Sequence, residues 1–232
     1  MTKRKGKFIV IDGADGSGKK TQTNLLADKL KTKGYKIKIA DFPQYGKKSA
    51  GLVEEYLNGK YGTSQEVTPK QASIFYAIDR FDASFKIKEW LAGGNIVISN
   101  RYVSSNMAHQ GGKIKDQKER KKFLNWLYEL EYDIFNIPKP DLCLILHVSA
   151  DTAQGLIEEK KNHQRDRSYI KNGQTKDIHE ADLDHLLNAE KIYLQIAKSF
   201  FGFKLIECME KGTILSRPKI HNLIWQKVRT II

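Results

Sequence analysis

Gly13-Ala14-Asp15-Gly16-Ser17-Gly18-Lys19-Lys20-Thr21 is the stretch on which the fold turns. It sits between the apolar run Phe8-Ile9-Val10-Ile11 and a helical pattern that begins near Lys19. Strand, glycine-rich loop and helix in that order make a phosphate-binding loop. Its glycines let the backbone turn tightly and aim several N–H groups into one concavity at the positive end of a helix. Lys19 is placed to reach the terminal phosphates of a nucleotide. The pattern G-x-x-x-x-G-K-[ST] is met at Gly13, Gly18 and Lys19 and departs at its last place. There Lys20 replaces the hydroxyl that holds Mg2+. Thr21 is one residue late and, on a helix, points about 100° away.

Outward from the loop, short apolar runs alternate with helical patterns. Phe8–Ile11, Ile37–Ala40, Ile96–Ile98, Leu142–Val148 and Phe203–Ile206 read as strands. Near-continuous apolar strands separated by helices indicate an α/β protein with a buried parallel sheet. Helices are expected over about 18–33, 49–58, 69–92, 116–134, 180–200 and 216–229. The third opens on a capping box, Thr68-Pro69-Lys70-Gln71, and stops at Gly93-Gly94. Ile74, Ala77, Ile78, Phe81 and Phe85 recur along it at helical spacing. In the fourth, Phe123, Leu127, Leu130 and Ile134 share one face. In the long fifth, Leu186, Ala189, Tyr193, Ala197 and Phe200 form a stripe that reads as core, or as part of a dimer interface.

The 232 residues suit one domain, residues 1–232, and 40% apolar content is enough for a core. Lys plus Arg exceed Asp plus Glu by 40 to 27, a formal net charge of +13. This balance suits an anionic partner. The basic residues are scattered, so a phosphate site plus a solvated surface explains them better than nucleic acid. Lys3-Arg4-Lys5 reads as a solvated tail, and no following segment is apolar enough for secretion or membrane insertion. Cys143 and Cys208 lie in apolar runs and read as buried free thiols of a cytoplasmic protein. No Cys/His spacing suggests zinc.

Other residues carry candidate chemistry. Asn100-Arg101-Tyr102 follows the third strand, and ligands of open α/β sheets bind beyond the carboxyl ends of strands. Arg101 can therefore meet a phosphate with its planar fork. Asn100 stands where phosphate-loop enzymes often keep a metal-associated Asp. Tyr76 and Arg80, spaced i, i+4, share a helix face and can stack on and hydrogen-bond a nucleobase; a core Tyr with a surface Arg fits the spacing equally well. Asn106 and Gln110 carry amides that can read a base edge. The basic segment from Lys160 to Gly173, with Arg165 and Arg167, reads on composition alone as a solvated loop. Beside a phosphate loop it also suits a lid, placed at about 150–180, that excludes water and adds positive charge.

Taken together, these residues resemble the thymidylate kinase family over nearly the whole chain. The resemblance rests on the phosphate loop, Phe42-Pro43, Tyr76-x-x-Asp79-Arg80, Arg101-Tyr102, Ser104-Ser105-Asn106, Pro138-x-Pro140-Asp141 and the segment Arg165–Glu180. It implies a P-loop NTPase fold with a five-stranded parallel sheet, and a dimer that transfers phosphate from ATP to dTMP with Mg2+. By the same resemblance Asp15 would bind the sugar 3′-hydroxyl, Tyr76 would stack on thymine, and Arg80 and Asn106 would contact its edge. Arg101 would hold the acceptor phosphate. Lys19 and the amides of residues 13–21 would bind ATP, and Arg165 or Arg167 would supply lid charge. No nucleic acid or membrane partner is expected.

Lys20 and Asn100 both depart from the family pattern at the same ion, and Tyr45 stands where some members have Arg. Losing a direct oxygen ligand and a nearby carboxylate weakens Mg2+ binding. A thymidine-nucleotide-binding homologue that has lost turnover, and acts by binding or regulation, is therefore the alternative reading. A further expectation is that the Lys20 ammonium supplies part of the missing charge.

Overall fold

The computed structural model describes residues 5–161, 183–200 and 202–232. Five strands, β1 (Lys7–Gly13), β2 (Ile37–Asp41), β3 (Ile96–Asn100), β4 (Leu142–His147) and β5 (Phe203–Glu207), form one parallel sheet in the order β2-β3-β1-β4-β5. β1 is central, so both its faces must be apolar. Alternation sends Phe8 and Val10 to one layer and Ile9 and Ile11 to the other, all fully buried.

The Ile9/Ile11 layer packs under α1 (Lys19–Thr32) and, near the C-terminus, α8 (Arg217–Val228), through Leu26, Leu30, Ile220 and Ile224. On the Phe8/Val10 side lie α3 (Pro69–Ala92), α4 (Val103–Gly111), α5 (Gln117–Tyr128) and α7 (Leu183–Ser199). Cys143 faces one layer and Cys208 the other, both buried and free, as expected. Burial raises the Cys208 thiol to about 12. The remaining elements are a 3-10 turn at Lys48–Ala50, α2 (Gly51–Leu57), α6 (Ala150–Lys161) and a small hairpin of β6 (Met209–Glu210) and β7 (Thr213–Ile214). Among the described residues, no helix is long and apolar enough to cross a membrane.

The capping box of α3 is present: Gln71 N–H donates to Thr68 Oγ1 at 3.3 Å, and Thr68 N–H to Gln71 Oε1 at 3.0 Å. Its expected apolar stripe divides, however. Ala77 is buried, but Ile74, Ile78, Phe81 and Phe85 are exposed. Toward the sheet the helix presents Ala83 and Ile87, while Ala72 packs with Val53, Tyr56 and Leu57 of α2.

One sequence expectation needs correction. The helix expected over 116–134 is α-helical only to Tyr128, and Glu129–Ile134 continues as π-helix. The wider turn shifts the phase, so Glu131 and Tyr132 point inward while Ile134 is 64% exposed. The segment expected as a lid, about 150–180, opens on helix α6, Ala150–Lys161. Residues 162–182, including Arg165 and Arg167, lie outside the described residues. In α7, Leu186, Ala189 and Tyr193 are buried as the stripe implied.

Candidate active site

The loop between β1 and α1 is built for close approach. Gly16 has φ 86°, and a Cβ there would lie 2.4 Å from the Ala153 carbonyl. Gly18 opens α1 at φ 83°, turning the chain so that the first-turn amides face the loop. Lys19 is buried and crosses that loop, its Nζ donating to the carbonyls of Gly13 at 2.9 Å and Ala14 at 2.8 Å. Asp15 lies 3.7 Å from Lys19 Nζ and forms an ion pair with Arg101. Ala14 and Ser17 are buried, whereas Lys20 points outward from the first turn of α1.

Arg101 leaves β3 in the left-handed region, φ 65°, a conformation that a non-glycine residue holds only when its surroundings fix it. Its N–H donates to Ile11 O at 3.0 Å, and its carbonyl accepts from Ser99 Oγ at 2.6 Å. Burial opposes the guanidinium charge, but Asp15, Tyr193 and Asp12 more than offset this and raise its pKa. Asp12, which the sequence reading passed over, anchors the neighbourhood. Its carboxylate accepts from Gly13 N–H, Ser104, Ser105 and Tyr193.

Beyond Arg101 opens a crevice of about 600 Å3. Of the residues singled out in the sequence, Asp15, Phe42, Pro43 and Tyr76 line it, as do Arg80, Arg101, Asn106 and Gln110. It also takes in Tyr45 and His109. Gln110 is fully buried, and both ends of its amide lack a protein partner, as does Asn106 Oδ1. A buried amide left unpaired is costly unless something polar meets it. These groups therefore offer hydrogen-bonding capacity to a polar ligand in the crevice.

Arg80 is buried rather than a surface residue, and forms a bidentate pair with Glu131 through Nε and a terminal nitrogen. Glu131 also accepts from Asn106 Nδ2 at 3.4 Å. Nothing in the sequence reading marked Glu131, a single carboxylate within an expected amphipathic helix. Asp79 holds the Phe42-Pro43 turn against α3 by accepting Gln44 N–H and Ser49 Oγ, each at 2.8 Å.

Asn100 presents the most direct answer to the missing carboxylate. Its Nδ2 donates at 2.7 Å to Asp41, its register partner on β2. Burial raises the Asp41 carboxyl pKa, while the Asn100 bond and the charges of Lys20, Arg101 and Lys19 act to lower it. Asn100 Oδ1 is buried without a protein partner. A carboxylate and an orphan carbonyl oxygen at the strand ends are hard oxygen donors that fit a hydrated Mg2+ carried by a nucleotide. Among the described residues, no group of three or more His, Cys, Asp or Glu side chains could hold a metal without it.

Comparison with known proteins agrees with this geometry. The family model for thymidylate kinase matches residues 11–207. A thymidylate kinase of Mycobacterium tuberculosis H37Rv is 29% identical over 196 residues, covering 84% of this chain and 87% of that protein. A probable thymidylate kinase of Thermococcus kodakarensis is 29% identical over 235 residues, covering 97% and 98%. The solved thymidylate kinase of Candida albicans superposes with a TM-score of 0.73 at 21% identity, over 97% of this chain and 92% of that one. The match spans the phosphate loop, the crevice, the end of β1 and the other four strands, and the chain belongs to the thymidylate kinase family of nucleoside-monophosphate kinases.

Proposed function

We propose that the protein transfers the γ-phosphoryl group of ATP to dTMP, giving ADP and dTDP. The observation that carries this reading is the position of Arg101, paired with Asp15 of the phosphate loop and facing the crevice that holds Gln110. A guanidinium there can hold the acceptor phosphate beside the donor. Such catalysis is positioning and charge stabilisation, with no covalent intermediate.

In this reading Lys19 and the amides of residues 13–21 hold the ATP phosphates. Tyr76 stacks on thymine, with Phe42 and Pro43 closing the crevice. Arg80, Asn106 and Gln110 meet the base edge, and Asp15 takes the sugar 3′-hydroxyl. Arg165 and Arg167 add charge over the transferring group from the segment after α6. Mg2+, when bound with the nucleotide, neutralises phosphate charge, and Asp41 and Asn100 are the residues here that would hold its waters. Lys20 adds positive charge on the same side.

The chain acts as one catalytic unit, in the cytoplasm and as a homodimer. What supports the dimer is the exposed stripe of Ile74, Ile78, Phe81 and Phe85 on α3, beside Ile134. A contiguous apolar face of this kind is rare on a monomer. Light scattering on the protein and on Phe85→Asp tests it: the substitution should give monomer.

A coupled ADP-release assay with dTMP and Mg-ATP tests the reaction. Turnover at about 1 s−1 or more supports it. Saturable dTMP binding with no turnover at any Mg2+ concentration rejects it in favour of a binding protein.

A further inference from the structure

Two histidines beside the crevice have no part in the chemistry above. His109, on α4, and His185, in the first turn of α7, are both buried. Their rings meet edge to edge in nearly one plane, with centroids 5.3 Å apart and planes inclined by 20°. His109 Nδ1 lies 3.0 Å from His185 Nε2, and His109 Nε2 lies 3.4 Å from a terminal nitrogen of Arg101.

The chemistry of the partners fixes the protons. A guanidinium has only donors, so His109 Nε2 must offer Arg101 a lone pair. A neutral imidazole then carries its proton on Nδ1, which donates to His185 Nε2. His185 must accept there and is neutral too. The chain of bonds thus runs from α7 through His109 to Arg101 and on to Asp15.

From this arrangement we infer that His109 is a positioning residue for the acceptor phosphate. As a neutral acceptor held by His185, it sets the plane of the Arg101 guanidinium, and protonation of His109 releases that plane. The inference rests on the proposed role of Arg101. A proton added to His109 Nε2 removes the lone pair and puts a second cation against Arg101.

Among the described residues, the charged and titratable groups facing His109 are Arg101 from the end of β3, Asp15 from the loop, Lys19 from α1, and His185 and Tyr193 from α7. Burial, then His185 and Arg101, hold the His109 pKa well below its ordinary value, against the pull of Asp15. His109 is therefore neutral at physiological pH and charges only in acid.

The test compares wild type with His109→Gln, which keeps a neutral acceptor but cannot titrate, and with His109→Leu. KM for dTMP and kcat are measured from about pH 7.5 down to about pH 4.5, far enough into acid to reach a histidine held well below its ordinary value. The dTMP phosphate itself titrates near about pH 6 and contributes equally to all three proteins. The expected result is an acid rise in wild-type KM at least about threefold steeper than in His109→Gln, with kcat changing less. His109→Leu should raise KM about tenfold at every pH. Parallel acid limbs in wild type and His109→Gln, or an unchanged KM in His109→Leu, would overturn the inference while leaving the kinase reaction standing.

A measurement without substrate separates the two claims. Imidazole NMR of the ligand-free protein should show His109 protonated on Nδ1 alone at about pH 7, with its titration displaced by Arg101→Gln. An Nε2-protonated His109, or a titration indifferent to residue 101, sinks the inference even if the enzyme proves inactive on dTMP.

Discussion

Asn100 donates its side-chain amide to the Asp41 carboxylate at 2.7 Å, across the register that pairs the last residues of β3 and β2. The carboxylate that the sequence appeared to lack at position 100 is thus present one strand away. Its neighbours include Lys20, the other residue that departs from the family pattern.

Asn100→Asp would replace that hydrogen bond with a second carboxylate facing the first. Like charges at this distance repel, and a divalent cation relieves the repulsion. The melting temperature should fall by about 3 °C in EDTA, equivalent to about 1 kcal/mol, and recover with Mg2+. Calorimetry with and without the ion checks this; equal melting temperatures in both conditions would remove Asp41 from any metal role.

Lys20→Ala should lower activity about tenfold at limiting Mg2+ and much less at saturating Mg2+, if the ammonium stands in for part of the ion's charge. Full activity at low Mg2+ would refute that substitution. Lys20→Thr combined with Asn100→Asp, which restores both usual oxygen ligands, should raise activity in Mg2+.

Glu131→Gln leaves Arg80 buried beside an amide, and an uncompensated buried charge costs about 3–5 kcal/mol. Urea denaturation should show that loss. The double variant Arg80→Met with Glu131→Leu should regain most of the stability yet bind dTMP poorly, which separates packing from base recognition.

Gly16→Ala and Gly18→Ala share the strain of a positive φ, but differ in what the new methyl group meets. At residue 16 it lies 2.4 Å from the Ala153 carbonyl, while at residue 18 nothing stands within 4 Å. Gly16→Ala should be the more destabilising by about 2 kcal/mol and should lose ATP affinity. Thermal melts with and without ATP check both effects.

His147, at the end of β4, holds Nδ1 at 2.7 Å from a Glu207 oxygen and Nε2 at 2.9 Å from a Glu190 oxygen, and its protonated ring donates to both. Burial works against its charge, but these two carboxylates prevail and raise its pKa. Stability from this cluster is therefore complete below the unfolded value of about 6.5 and is lost as pH rises through the folded value. His147→Phe should cost about 1 kcal/mol more at about pH 5.5 than at about pH 9, measured by urea denaturation.

Much of this protein was legible in its linear order. The five strands fell where apolar runs predicted them; in β1, β3 and β4 this is because a strand buried on both faces leaves no polar side to interrupt the run. The phosphate loop was readable because glycine spacing and Lys19 act locally. The capping box of α3 was readable for the same reason. α4, α6 and the β6–β7 hairpin were not anticipated, since Val103–Gly111 carries buried polar residues where a helix is normally recognised by an apolar stripe.

By itself the sequence determined the layer architecture, the loop geometry and the family, all of which depend on neighbours along the chain. Only the tertiary structure decided which polar groups face one another. The π-turn that brings Glu131 to Arg80, the register that sets Asp41 beside Asn100, and the packing of α4 on α7 that joins His109 to His185 each unite residues distant in sequence. Side-chain pairing of that kind is set by the phase of a helix or the register of a strand, and a shift of one residue would abolish it.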